Sequence, residues 1–154
     1  MRGPSLYHVG MTVSDLERSV RFYTAGLGFE EHARQTSAAS YLSLTGYPGV
    51  EIAAAFVRSP GGRLELELQE YHGIEQGALR PAGTAPVGSV HMCLVVENLV
   101  DALAQAERHG GRRVTDPVEI DSGMNAGARG VYLRDPDGVT IELFQPARPE
   151  KAPG

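Results

Sequence analysis

The sequence predicts an α+β fold, with two β-α-β-β-β modules forming a curved mixed sheet and helices outside. Three observations carry this expectation. A strand, an acidic turn, a helix and a glycine stop occur near the start and recur 83 residues later, which aligns His8 with His91 and Val13 with Val96. Each copy then runs through strand-like segments that end in related phrases, "LELQ" at 66–69 and "IELFQ" at 141–145. Between the copies lies "GIEQGALRPAGTAPVG", whose Gly, Pro and Ala content suits a connector. Repetition of whole units says more about architecture than any isolated propensity.

The first strand is expected at about 6–13, where Tyr7, Val9, Met11 and Val13 alternate with His8, Gly10 and Thr12. "SDLERSVRFYTAGLGF" follows, with Ser14 or Asp15 as N-cap, Leu16, Val20 and Tyr23 at helical spacing, and Gly26 and Gly28 as the stop. Three strands at about 29–35, 50–58 and 63–70 complete the first module, which spans 6–72. After linker 73–87, module 88–146 repeats the plan in "SVHMCLVVENLVDALAQAERHGG". The offset also aligns Asp15 with Asn98, Leu16 with Leu99, and Gly28 with Gly111. Its later strands are expected at about 112–119, 129–134 and 139–145. "DPDG" forms the last turn, with Pro136 at the second position of a type I turn. All 154 residues read as a single domain of two modules.

Composition narrows the function classes. Apolar residues make up 42% and charged residues 21%, ordinary for a globular chain. A net charge of −5 argues against a nucleic-acid partner, which calls for a basic patch. No apolar run approaches membrane-spanning length, and the start has no apolar signal region. The single cysteine, Cys93, excludes an intrachain disulfide and fits a reducing cytoplasm.

Strand alternation separates packing residues from chemical ones. Leu64, Leu66 and Leu68 share one face, and Glu65, Glu67 and Gln69 share the other. Met92, Leu94 and Val96 oppose His91 and Cys93, while Ile141 and Leu143 oppose Thr140 and Glu142. With helices on the apolar faces, the His and Glu residues point to the concave side. A lone strand histidine or glutamate is ordinarily just the wet side of a half-buried sheet. Two of each at repeat-related strands reverse that reading. Imidazole and carboxylate donors suit Zn²⁺, Ni²⁺, Co²⁺, Mn²⁺ or Fe²⁺, and clustered carboxylates repel without a cation between them.

The duplicated plan, "HVGMTVSDLERSVRFYTAGLGF", "LELQE", "SVHMCLVVENL" and "YLRDPDGVTIELFQP" together resemble the vicinal oxygen chelate superfamily, from about residue 6 to 146. That group includes glyoxalase I, methylmalonyl-CoA epimerase, extradiol dioxygenases, and fosfomycin- and bleomycin-resistance proteins. The resemblance implies a cup lined by two modules, in which a divalent metal chelates vicinal oxygens of a small-molecule substrate. It places the ligands at His8, Glu67, His91 and Glu142, with Glu65 as a substitute for Glu67. It also implies modules that pair within one chain or across a homodimer.

For glyoxalase- and epimerase-type members the resemblance implies proton transfer by a lyase or isomerase, with Glu142 or Glu67 as the base. The alternatives are an Fe²⁺-dependent dioxygenase acting on a catechol-like substrate and a non-catalytic drug-binding resistance protein. The complete His/Glu/His/Glu set counts against the latter. Other residues have plainer readings. Cys93 packs as a small apolar residue or lines the cup, and His109 interacts with a helix end. His32 lacks a repeat partner, as does His72, which would reach substrate from just after the fourth strand. Arg34, Arg58 and Arg129 are solvated or hold a substrate anion. Residues 120–130 form an ordinary loop or a lid.

Overall fold

The structure is a computed structural model that describes residues 3–77 and 83–147. The chain divides into two compact units, Met1–Ala78 and Leu79–Gly154. Residues 78–82 of the expected linker lie outside the described part.

The first unit runs β1 (Val9–Thr12), α1 (Leu16–Arg21), β2 (Glu30–Thr36), α2 (Ala39–Thr45), β3 (Glu51–Arg58) and β4 (Glu65–His72). Its four strands form one sheet in the order β1-β4-β3-β2. β1 runs parallel to β4 and the other neighbours are antiparallel, so the sheet is mixed. The second unit runs β5 (His91–Val95), α3 (Leu99–Arg108), β6 (Arg112–Arg113), β7 (Val118–Glu119), β8 (Arg129–Arg134) and β9 (Thr140–Gln145). Its order is β5-β9-β8-β6, with β7 also on β8, and again only the first pair is parallel. The expected α+β class is what the chain adopts, as two mixed sheets with short helices.

Both helices after the first strands are started the same way. Asp15 is extended and its side chain accepts from the Arg18 N–H at 2.8 Å, while Asn98 accepts from Val100 and Asp101 at 3.0 and 3.3 Å. A strand side chain takes one more N–H in each unit. Leu16 donates to Glu70 Oε2 and Leu99 donates to Gln145 Oε1, each at 2.8 Å. α1 continues as a π-helical turn, Phe22–Gly26, which buries Phe22 and Tyr23 completely. Gly28 then adopts φ +75, a conformation that favours glycine, and releases the chain into β2.

Each unit has its own core. Val13, Leu16, Val20, Tyr23, Val57, Leu66 and Leu68 are buried in the first, and Leu99, Leu103, Val131, Leu133, Ile141 and Leu143 in the second. Burial of each large aliphatic side chain is worth about 1.5–3 kcal/mol, so these faces fix which strand face remains for polar residues. In the last turn Asp135 is fully buried, and its carboxylate accepts from Asp137 at 3.0 Å and Val139 at 2.7 Å. Among the described residues no helix is long and apolar enough to cross a membrane.

Two elements differ from expectation. Helix α2 falls in a stretch with no expected element; its sequence is short and serine-rich, and Gly46 at φ +79 ends it. The expected strand 112–119 is instead two short pieces. Val114 still donates to Tyr132 O at 2.8 Å, and pairing resumes only at Val118 opposite Gly130. Four residues, 114–117, thus face two on β8, and Pro117 within them has no N–H for the ladder.

Candidate metal-binding half-sites

The first unit brings His8 and Glu67 together. β1 and β4 pair in parallel with Gly10 opposite Glu67, and His8 stands two residues before Gly10 on the same face. His8 Nε2 lies 3.1 Å from Glu67 Oε2. Glu67 is 7% exposed, which is unusual for a carboxylate and calls for partners. Gln35 Nε2 reaches its other oxygen at 3.5 Å, and Phe56 is its register partner on β3. The Phe56 ring also meets the His8 ring edge-on, with centroids 6.2 Å apart.

The second unit repeats this frame. Cys93 is paired with Glu142, and His91 stands two residues before Cys93. His91 Nε2 lies 3.2 Å from Glu142 Oε2. Tyr132 is the register partner of Glu142 on β8, and its ring meets His91 edge-on at 5.3 Å. Tyr132 and Cys93 flank Glu142 as its register partners on the two neighbouring strands. Burial pushes the Tyr132 hydroxyl and the Cys93 thiol above their ordinary pKa values, and the negative Glu142 adds to both shifts.

The donor set of each pair fits a divalent cation. With bonds of about 2.0–2.2 Å, neighbouring nitrogen and oxygen ligands sit roughly 3.0–3.5 Å apart, the spacing seen in both pairs. The other ring nitrogen of His8, Nδ1, is buried without a hydrogen-bond partner among the described residues. Each unit contributes two donors. Among the described residues, no group of three or more His, Cys, Asp or Glu converges as a metal cage.

Glu65 takes a different role from Glu67. It accepts from Arg58 Nη2 at 2.7 Å and lies 3.0 Å from His32 Nε2. The Arg58 guanidinium chiefly holds the Glu65 carboxyl below its usual range. His32 reaches this cluster because the register of β2 against β3 shifts between Glu31 and Ala33, a bulge that sequence alternation could not reveal. Arg34 is occupied by Glu17 and Glu31. His109 Nδ1 sits 3.0 Å from Gln105 O at the end of α3, and His72 is 3.7 Å from Glu70. Arg129 is half-buried on β8, opposite Glu119 and Gln145. Backbone bonds between Ile120 and Ala128, and between Gly127 and Ile120, close loop 120–128 on itself. A cavity of about 460 Å³ in the first unit is lined by Arg34, Gln35, Thr36 and Glu70, and only Gln35 links it to the His8–Glu67 pair.

Signals missed in sequence were the aromatic partners. Phe56 and Tyr132 occupy equivalent places beside equivalent glutamates, and a register alignment of the third strands would have found them.

A duplicated mixed sheet with an equivalent His–Glu pair in each copy defines a protein of two similar modules. The chain belongs to the Glyoxalase/Bleomycin resistance protein/Dioxygenase superfamily, whose family description matches residues 5–143. It is 30% identical over 152 residues to a lactoylglutathione lyase of Pseudomonas putida, covering 90% of this chain and 83% of the relative. It is 33% identical over 146 residues to a 2-epi-5-epi-valiolone epimerase of an Actinomyces species, covering 91% and 78%. A glyoxalase family protein of Bacillus cereus has a similar structure, with TM-score 0.82, 20% identity, and coverage of 96% of this chain and 97% of that one.

Proposed function

We propose that the chain is a divalent-metal-dependent lyase or isomerase that moves a proton on a small molecule carrying vicinal oxygens. The observation that carries this reading is the repetition of one frame: a histidine nitrogen 3.1 or 3.2 Å from a glutamate oxygen, at the same register position of each sheet. His8 and Glu67 of the first unit, and His91 and Glu142 of the second, are the residues that would hold Zn²⁺, Ni²⁺, Co²⁺, Mn²⁺ or Fe²⁺. When bound, such an ion acts as a Lewis acid toward the substrate oxygens. Relatives named as a lyase and an epimerase support the two reaction classes.

The residues themselves supply the proton chemistry. A glutamate beside the chelated group would take a proton from the adjacent carbon. Isomerisation then delivers it to the neighbouring carbon, whereas epimerisation needs a second acid to protonate the same carbon from the opposite face. Phe56 and Tyr132 wall the two histidine rings and keep them edge-on. That packing limits rotamer freedom and holds each imidazole nitrogen toward its glutamate.

The test is metal analysis of the purified protein, then assays of α-oxoaldehyde–thiol adducts, acyl-CoA epimers and catechols under air and under argon. Turnover of an adduct or an epimer, restored by metal and indifferent to O₂, is expected. Activity confined to catechols with Fe²⁺ and air would replace this reading by ring cleavage. Protein that binds no metal after supplementation would favour simple ligand sequestration.

A further inference from the structure

The row of residues that starts at the candidate metal-site histidine differs between the two units. In the second unit one row crosses four strands on the Glu142 face: His91 pairs with Thr140, Thr140 with Arg134, and Arg134 with Arg112. The next residue, Arg113, pairs with Leu133 and bonds Glu107 on α3, which places Arg112 on the face away from the helix. In the first unit the equivalent row alternates in charge. Glu65 pairs with Arg58 and Arg58 with Glu30, while His8 stands one residue before the Val9–Leu66 pair, at the level of Glu65. Arg58 donates to Glu65 at 2.7 Å.

Opposite charges on facing strands stabilise a sheet, and like charges directly opposite destabilise it. The first row therefore closes on itself, whereas the second sets two arginines opposite each other. Arg134 is fixed by bonds to Thr140 Oγ1 and the Gly138 carbonyl. Arg112 is exposed, and among the described residues its side chain makes no hydrogen bond or ion pair. With strands about 4.8 Å apart, Arg134 and Arg112 stand about 10 and 14 Å from His91 at the backbone. Both side chains are long enough to cover part of that gap, so a small molecule held at His91 reaches them with its tail.

We infer that Arg112, beside the fixed charge of Arg134, is an anion-binding residue that takes the phosphate or carboxylate of a substrate whose vicinal oxygens lie at His91 and Glu142. A guanidinium presents paired N–H donors that match the oxygens of such a group. The first row has no equivalent use, since Glu30 and Glu65 already oppose Arg58. The placement of the vicinal oxygens rests on the metal reading above. Capture of the anion rests on the row alone.

Inorganic phosphate is the first probe, titrated calorimetrically into metal-free protein at fixed ionic strength. Wild type, R112Q, R113Q and R58Q are compared, and their melting curves confirm folding. R113Q removes the same charge from the opposite face, and R58Q removes the arginine of the first row. R112Q should bind phosphate about tenfold more weakly than wild type, the usual effect of losing a hydrogen bond to a charged group. R113Q and R58Q should bind as wild type does. Wild-type affinity in R112Q would overturn the inference, as would absence of phosphate binding by the wild type. Equal weakening in all three variants would also overturn it, because only net charge would then matter.

Three chelators are then titrated into Co²⁺-loaded protein: glycerate, malate, and glycerate phosphorylated at its far hydroxyl. Each offers an α-hydroxyl and a carboxylate as vicinal oxygens, and the last two add a carboxylate or a phosphate. Tighter binding of malate or of the phosphate ester than of glycerate, lost in R112Q, supports the inference and identifies the anion. No gain with either would overturn the substrate role. Protein that binds phosphate through Arg112 but takes up no Co²⁺ would support the anion site and overturn the metal reading alone.

Discussion

The Leu16 backbone N–H donates to Glu70 Oε2 at 2.8 Å, joining the start of α1 to the end of β4. Leu99 and Gln145 repeat the contact at 2.8 Å in the other unit. Each glutamate or glutamine stands three residues after the candidate ligand of its strand, so the bond ties the helix to the strand that carries the site. An N-cap acceptor lost to alanine costs about 1 kcal/mol, and E70A should lower stability by that order. E70Q should be nearly neutral, because Gln145 performs the same task with an amide. Urea unfolding of the three proteins checks this, and equal midpoints for wild type and E70A would refute it.

Gly111 is required for space. A Cβ there would stand 2.9 Å from Ala106 O and 3.1 Å from Leu133 Cδ1. G111A should therefore lose roughly 1–3 kcal/mol, the usual range for overpacking a filled interior. Thermal melting of G111A against wild type measures it, and a melting temperature that does not fall would show that α3 can yield.

Cys93 is exposed but should react slowly. Its thiol pKa is raised by burial first and by the Glu142 charge second, which lowers the thiolate fraction. Alkylation of metal-free protein by iodoacetamide at pH 8 should run slower than that of a free thiol, and faster in E142Q. An unchanged rate in E142Q would mean that the glutamate does not control the thiol.

Glu65 carries a pH signature. Arg58 and His32 hold its carboxyl below the ordinary value of 4.5. A lowered folded-state pKa gives stability that is present above the unfolded value and is lost as pH falls through the folded one. Melting temperature should therefore fall less steeply below pH 4.5 in E65Q than in wild type. Parallel curves for the two proteins over that range would contradict the assigned ion pairs.

The repeat made most of the architecture legible, because a half-buried strand prints its two faces as alternation. His8, Glu67, His91 and Glu142 were found this way, and the structure brings them together as two pairs. What alternation cannot encode is a change of register. The shift between Glu31 and Ala33 brought His32 to Glu65, and Pro117 split the strand expected at 112–119. Gly28 and Gly111 aligned in sequence yet serve different ends, positive φ in one and close backbone approach in the other. Helix α2 escaped notice because a seven-residue helix shows too few turns to reveal a period.

The connection that contains α2 has a further consequence. It runs from Thr36 to Glu51, whereas its counterpart in the second unit runs from Glu119 to Arg129. The first copy thus has more chain here, and the offset between copies drops from 83 at the histidines to 75 at the glutamates. Yet Gly10 still faces Glu67 as Cys93 faces Glu142, so the added residues left the parallel ladder of the module in equivalent register. Loop length costs little in chain entropy when the ends are already fixed by a sheet. Chain length at this bend can therefore change without altering which residues face one another across the parallel strands. The bend is thus a place where the module can take up or lose residues while its His–Glu frame keeps the same geometry.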